Sequence, residues 1–202
     1  MTKLEMVQEV IRRLTGRTPP ALDTGGASDA ANAERVLIDN ARRAATQGWA
    51  FNTKETLTLT PNGSGNIVMP SGTLWINTDG LDTYKNYVQI GDKLYDKTNN
   101  TYVFDQDVSV TVRLRYDPEC FPEHIQHWLV SKTALDMLSH VGVPANKPTL
   151  PAQLREDEYA ARIMAKKADG EIRGTNALYD NQRNRELFGD RTNIYRSGDD
   201  AI

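Results

Sequence analysis

The hydrophobic pattern of this chain changes its period twice, and these changes limit the folds that the chain can adopt. In residues 1–54, apolar residues recur every three or four positions, as on one face of an α-helix. Between residues 55 and 117 they alternate with polar residues, most regularly over residues 108–115, as in a half-buried β-strand. Helical spacing returns near Pro122. The pattern therefore predicts an α+β protein in which a β region interrupts a set of helices.

Two helices are predicted on each side of the β region. Each has one apolar face that needs cover, so helices far apart in sequence are expected to pack together as a bundle. Gly48 is expected to cap the second helix in a left-handed conformation. The residues expected to begin or end the four helices are Gly16, Ser28 or Asp29, Gly48, Pro122, Gly142, Thr149, Pro151 and Gly174.

The β region is expected to form an antiparallel sandwich or barrel, because its strands are short and its turns frequent. Strands are predicted over residues 55–60, 67–69, 74–76, 87–90, 93–96, 102–104 and 108–115. The resulting domain prediction is a helical bundle from residues 1–54 and 118–173 with an inserted β domain from residues 55–117. Residues 174–202 are expected to form an extended C-terminal tail, because they contain few apolar residues.

Three large aromatic residues are expected to anchor the helical core. Trp49 and Phe51 follow the second helix, where the chain turns toward the β region, and Trp128 lies on the broad apolar face of the third helix. Large rings of this kind contribute much of the apolar area that a core buries.

Composition and charge favour a globular protein that does not bind DNA tightly. The chain has 202 residues, of which 39% are hydrophobic and 25% charged, and no apolar run approaches the length that spans a membrane. Lys and Arg number 24 against 27 Asp and Glu, and residues 55–117 hold five basic and eight acidic residues. Such a β region repels phosphate. A single cysteine fits a reducing cytosol, and the N-terminus carries no secretion signal.

No motif in the sequence indicates catalysis, a metal or a cofactor. His124 and His127 near Cys120 lack metal-ligand spacing, and Cys120 is expected to be a small buried thiol. Asp136 and His140 have the spacing of an ordinary ion pair on a helix. The acids of the β region mostly adjoin turn residues. Because two suitably separated carboxylates suffice for glycoside hydrolysis, a polysaccharide-degrading hydrolase stays open as an alternative.

Several collinear segments resemble the tail tubular protein A family, the head-to-tail adaptors of short-tailed bacteriophages. The resemblance extends over residues 4–170. Its segments are residues 29–37, Gly-Trp-Ala-Phe-Asn at 48–52, the strand at 57–61, Leu-Tyr-Asp-Lys-Thr at 94–98, Phe104, residues 108–114, Pro-Glu-Cys-Phe-Pro at 118–122 and residues 128–134.

The resemblance implies a structural role in the virion tail, with synthesis in the cytoplasm of the bacterial host. It implies a dodecameric ring below the portal protein, with the nozzle protein (tail tubular protein B) attached beneath it and tail fibres around their junction. Double-stranded DNA would pass through the central channel, with no sequence-specific binding and no membrane contact. It also implies a four-helix bundle with a β domain, and no enzymatic activity.

Two hypotheses about contact residues follow from charge and composition. Acids of the β domain are expected to line the channel, where they would repel DNA phosphate. These acids are Asp79, Asp82, Asp92, Asp105 and Asp107. The tail is expected to dock onto the portal protein, because it has dispersed anchors but no core of its own. Its aromatic anchors are Tyr179, Phe188 and Tyr195, and its polar contacts are Arg183, Arg185 and Arg191.

Overall fold

A computed structural model of the chain describes residues 1–16, 18, 28–78, 86–143 and 146–172. Within these residues the helices are α1 (Lys3–Thr15), α2 (Asp29–Ala45), α3 (Glu123–Val141) and α4 (Leu150–Ile172). The strands are β1 (Thr53–Leu59), β2 (Thr73–Asn77), β3 (Tyr87–Ile90), β4 (Lys93–Asp96) and β5 (Val108–Leu114). The mixed helical and antiparallel structure confirms the predicted α+β class.

Local capping chemistry sets the ends of the first two helices. At the start of α1, Thr2 and Glu5 each accept a hydrogen bond from the other's backbone N–H, at 3.2 and 2.7 Å. Gly16 ends α1 in a left-handed conformation, and the Ser28 hydroxyl caps α2 by accepting from the Ala31 N–H at 3.2 Å. The expected ends at Gly16 and Ser28 are confirmed.

The prediction that Gly48 caps α2 is wrong. The helix ends at Ala45, and Thr46 is its cap in an ordinary right-handed conformation. Gly48 does have a positive φ of 77°, but it serves the turn that follows the helix. The helix ends early because the chain must bend there to bring Trp49 back beneath α2, where its indole N–H donates to the Ala44 carbonyl at 3.0 Å.

The helical core is built around α3, which packs against each of the other three helices. Helix α3 buries residues on several sides, including Ile125, Leu129 and Met137, as a central helix must. Helix α2 buries mainly small residues such as Ala33 and Ala41 where it packs against α1 and α3. These helices share one hydrophobic cluster with Trp49 and Phe121.

The β region contains two small antiparallel sheets. In the first, β5 lies between β1 and β2, and in the second β3 pairs with β4 across a tight turn at Gly91 and Asp92. Gly91 has a φ of 65°, which the tight turn requires. Alternate residues of β5 face a second hydrophobic cluster, in which Ile67, Leu94 and Val112 are fully buried.

Two predicted strands of the β region do not form. Residues 67–69 and 102–104 make only isolated bridges, at Val68 with Lys93 and at Asn66 with Val103. The alternation that suggested strands is present, because Ile67 and Met69 are buried and Val68 is exposed. A ladder also requires a partner in register over several residues, and burial alternation alone does not supply one.

Candidate functional site: the junction and the exposed surfaces

The helical and β regions are joined at a buried asparagine. The Asn52 side chain is fully buried, and its amide nitrogen donates to the carbonyls of Ala45 at 2.7 Å and Leu114 at 3.0 Å. The Asn52 carbonyl accepts from the Leu114 N–H at 2.9 Å. One residue therefore ties the end of α2 to the end of β5, and the chain leaves and re-enters the helical region at one point.

Arg113 reinforces this junction from the β side. Its guanidinium donates to the Thr46 carbonyl at 2.7 Å and lies over the Trp75 ring, 4.0 Å from the ring centre. A Cβ atom at Gly48 would come within 2.4 Å of the guanidinium and would also be strained by the positive φ. Glycine at position 48 therefore leaves room for the arginine.

Trp49, Phe51 and Trp128 lie in or against the helical core. The two tryptophans are 3% and 4% exposed, with ring centres 5.4 Å apart. The Trp128 indole N–H donates to a carboxylate oxygen of Glu158 at 2.9 Å, which links α3 to α4. Phe51 is half-buried and packs against Phe121 at 4.8 Å between ring centres. These residues stabilise the scaffold and are not exposed to a partner.

Sequence reasoning missed the polar residues that hold the junction beside these aromatic residues. Asn52, Arg113 and Asp169 all hold the junction, the last by accepting from the Ala50 N–H at 2.7 Å. The sequence marks Asn52 only as the final residue of the Gly-Trp-Ala-Phe-Asn segment. One feature of the sequence could have identified Asn52. It follows Trp49 and Phe51 at the position where the apolar spacing changes from helical to alternating.

The N-terminal helix is held by charged and polar contacts with α2 and α3. The Met1 amino group donates to the Gln126 side-chain oxygen at 2.7 Å. Lys3 and Glu34 form an ion pair at 2.8 Å, and the hydrogen bond to Glu34 raises the pKa of Lys3. Arg13 donates to the Ser131 hydroxyl at 2.8 Å. The start of the chain is therefore part of the packed helical scaffold.

Glu9 accepts hydrogen bonds from two arginines of its own helix. Its carboxylate lies 2.8 Å from Arg12 and 2.9 Å from Arg13. The hydrogen bond from Arg12 is the main cause that lowers the pKa of Glu9, and the bond and charge of Arg13 act in the same direction. This network spans the last turns of α1, where basic residues also suit the helix dipole.

The proposed channel acids that the structure describes are open to solvent. Asp92, Asp105 and Asp107 are all exposed, whereas Asp79 and Asp82 lie outside the described residues. Asp96 of the same region is buried and structural, since it accepts from the N–H groups of Thr98 and Asn99. The exposed acids can therefore meet solvent or a partner.

The structure also places the histidines and the cysteine. The prediction that Cys120 is buried is wrong: it is exposed, because the 3-10 turn that carries it packs through Pro118 instead.

His127 lies 3.5 Å from Glu123 on the surface of α3. Asp136 pairs with Lys132 at 2.6 Å and accepts from the Asn40 side chain. Among the described residues, no group of three or more His, Cys, Asp or Glu could hold a metal ion.

Two surfaces expose large apolar side chains. On α4, Tyr159, Ile163 and Met164 are 62%, 48% and 70% exposed. In the β region, Val68 and Val103 are 52% and 61% exposed.

None of the described helices is long and apolar enough to cross a membrane. The six tail residues proposed to contact a portal protein all follow residue 172 and lie outside the described part of the chain.

The described residues thus form two packed cores joined by hydrogen bonds, with apolar side chains exposed on α4 and in the β region. The sequence profile of the tail tubular protein family matches residues 4–188, and the chain belongs to this family of bacteriophage tail structural proteins. The curated proteins compared with the chain include no match.

Proposed function

We propose that the chain is the adaptor subunit of a short bacteriophage tail and forms a dodecameric ring that connects the portal protein to the nozzle protein. Tail fibres attach around the junction of adaptor and nozzle, and double-stranded DNA passes through the ring during ejection. The observation that carries this proposal is the match to the tail tubular protein family over residues 4–188. The match places the chain in the virion tail, among the components of its assembly.

The size of the chain supports a ring of several copies. A folded chain of 202 residues has a radius of gyration of roughly 17 Å. Both described cores are filled by side chains, so one copy cannot enclose a channel. A tubular structure made from this protein therefore needs several copies, each in contact with two neighbours through different surfaces.

The junction suits a subunit that must keep its shape in an assembly. We propose that residues 1–54 and 118–173 form one domain, a helical bundle, and that residues 55–117 form a second, closed as a sandwich or barrel. Asn52, through Leu114, and Arg113, through Thr46, supply hydrogen bonds between them. Tyr116 packs against both hydrophobic clusters. Such a fixed connection favours a structural role.

The charge of the β region supports passage of DNA without retention. Asp92, Asp105 and Asp107 are exposed, and a wall that carries acids repels phosphate, whereas a basic wall binds it. The alternative of a polysaccharide hydrolase is favoured by no observation among the described residues. Asp92, Asp105 and Asp107 are exposed, whereas a pair of carboxylates that acts on a sugar lies in an enclosed cleft.

Electron microscopy of the purified full-length protein, alone and mixed with its portal protein, tests the proposed function. Rings with an open centre are expected, either free or seated on the portal. Addition of the nozzle protein should extend the portal-bound rings and should not extend the portal alone. Particles that stay single subunits under both conditions would contradict the proposal.

A further inference from the structure

Helix α4 is covered on only one side by the described part of the chain. It has 23 residues, which corresponds to a length of about 35 Å, and among the helices it packs mainly against α3. Only Leu150, Leu154 and Ala165 are buried along it. The opposite face of a long helix at the edge of the molecule is therefore open.

That open face carries a continuous apolar strip. Tyr159 and Ile163 are four residues apart, as are Ala160 and Met164, so the four side chains lie side by side on successive turns. All four are exposed. A helix face that stays in water is normally polar, and a contiguous exposed apolar patch marks a contact surface.

Charged residues of both signs border the strip. Arg155, Arg162 and Lys166 lie on the Tyr159 side and Asp157 lies on the Ala160 side, and the strip ends at Glu156 toward the helix start and at Lys167 toward the helix end. An apolar centre with a polar rim is the composition of a contact between proteins. A surface that binds DNA would instead be basic throughout.

We propose that the outer face of α4, formed by Tyr159, Ala160, Ile163 and Met164, is a lateral surface through which neighbouring copies of this chain contact each other. The inference rests on the proposed ring. Each copy in a ring must bury part of its surface against two neighbours, and permanent contacts of this kind bury about 2,000–5,000 Å² in total. The strip is the longest run of exposed large apolar residues on the described helices, and α4 is the helix that the chain's own core covers least.

A matched pair of variants on the same helix tests this contact. The double variant Ile163→Glu and Met164→Glu places two charges within the strip, whereas Ile172→Glu places one charge at an isoleucine outside it that is 61% exposed, between the 48% of Ile163 and the 70% of Met164. Sedimentation velocity of the full-length proteins, alone and with portal protein, should show self-association weakened roughly 30-fold or more by the double variant. Ile172→Glu should assemble like the unmodified protein, and circular dichroism should show all three to be folded.

Photocrosslinking identifies the protein that contacts the outer face of α4 without introducing a charge there. With p-benzoylphenylalanine in place of Tyr159, irradiation of the assembled protein should give a covalent product of twice the 22.6 kDa chain mass. Its crosslinked peptides should both come from this chain. Crosslinks to the portal or nozzle protein, or a double variant that assembles normally, would contradict the proposed contact through α4. Neither result would contradict the proposed ring. Failure of the unmodified protein to assemble would overturn the ring and the contact together.

Discussion

Asn52 suits its buried position because its side-chain amide can donate two hydrogen bonds. A carboxamide supplies two N–H donors, and here both are used, one for a carbonyl at the end of α2 and one for a carbonyl at the end of β5. Aspartate has no donor to offer these carbonyls. The Asn52 side-chain oxygen is buried and has no hydrogen-bond partner among the described residues, so the two donated bonds are what offsets the burial of the amide.

Asn52→Ala is expected to lower the free energy of unfolding by about 3 kcal/mol, because it leaves two buried carbonyls without their donors. Urea unfolding followed by circular dichroism measures this change. Gln47→Ala, at an exposed position next to the same junction, serves as the control and should change stability by less than about 0.5 kcal/mol. Equal stability of the two variants would show that the junction does not depend on Asn52.

Glu9 gives a prediction for the pH dependence of stability. Its pKa in the folded protein is lowered from 4.5, so its carboxylate stabilises the fold above that value, and this contribution is lost as the pH falls through the lowered pKa. Glu9→Gln should therefore be less stable than the unmodified protein by about 0.5 kcal/mol near neutral pH, as for partly exposed pairs. The two proteins should converge in acid.

The matched control for Glu9 is Glu123→Gln. Glu123 is 80% exposed and its side chain lies 3.5 Å from His127, so its removal should leave stability at neutral pH nearly unchanged. Unfolding curves of the three proteins across the acid range give the comparison. A stability difference for Glu9→Gln that stays constant with pH would argue against a lowered pKa.

At the scale of single residues, size and polarity allowed the buried aromatics to be predicted but not their partners. Trp49 and Trp128 are large and apolar, and such side chains are buried in almost any compact fold. The hydrogen bond from Asn52 to Leu114 spans 62 positions of sequence, and no local pattern encodes a contact of that kind. Cys120 was misplaced for a similar reason, since its exposure depends on how a neighbouring turn packs.

Among the elements, helices were predicted more accurately than strands. The ends of α1 and α3 follow from Gly16, Pro122 and Gly142, which act within a turn of the residues they limit. A strand depends instead on a distant partner. Residues 67–69 alternate in burial as strands do, yet they and residues 102–104 meet their neighbours only at isolated bridges.

The C-terminal tail, residues 174–202, leads to a prediction about binding to the portal protein. Truncation after Gly174 should leave a folded protein, because the buried residues of both described clusters precede that position. It should abolish binding to the portal protein in a pull-down or by light scattering. Alanine at Arg183, Arg185 and Arg191 in the full-length chain should weaken binding less than truncation does. Undiminished binding by the truncated protein would refute a docking role for the tail.

For the whole molecule, the charge of the β region leads to a prediction about DNA ejection. Changing Asp79, Asp82, Asp92, Asp105 and Asp107 to Lys should slow ejection from assembled virions, because a basic wall would retain phosphate. The effect should weaken as salt is raised, since these interactions are screened. Time-resolved fluorescence of a DNA-binding dye measures the rate.

The control for this prediction reverses two exposed acids of the helical region, Asp39 and Glu123. Virions with that pair changed should eject DNA at the normal rate. If reversal of all five β-region acids also leaves the rate unchanged, those acids do not face the channel. Electron microscopy of both virion preparations would confirm that tails have assembled, so that the rates can be compared.

The contact between Asn52 and Leu114 has a further consequence for how such tails can diversify. Because the β region begins and ends at the same point, its loops can grow or shrink, at a small cost in chain entropy, without moving any helix. In the proposed ring, remodelling of this one inserted segment would change the profile of the assembly while the helices keep their packing around α3. Exchange of residues 53–113 between relatives is the graft that this architecture makes feasible.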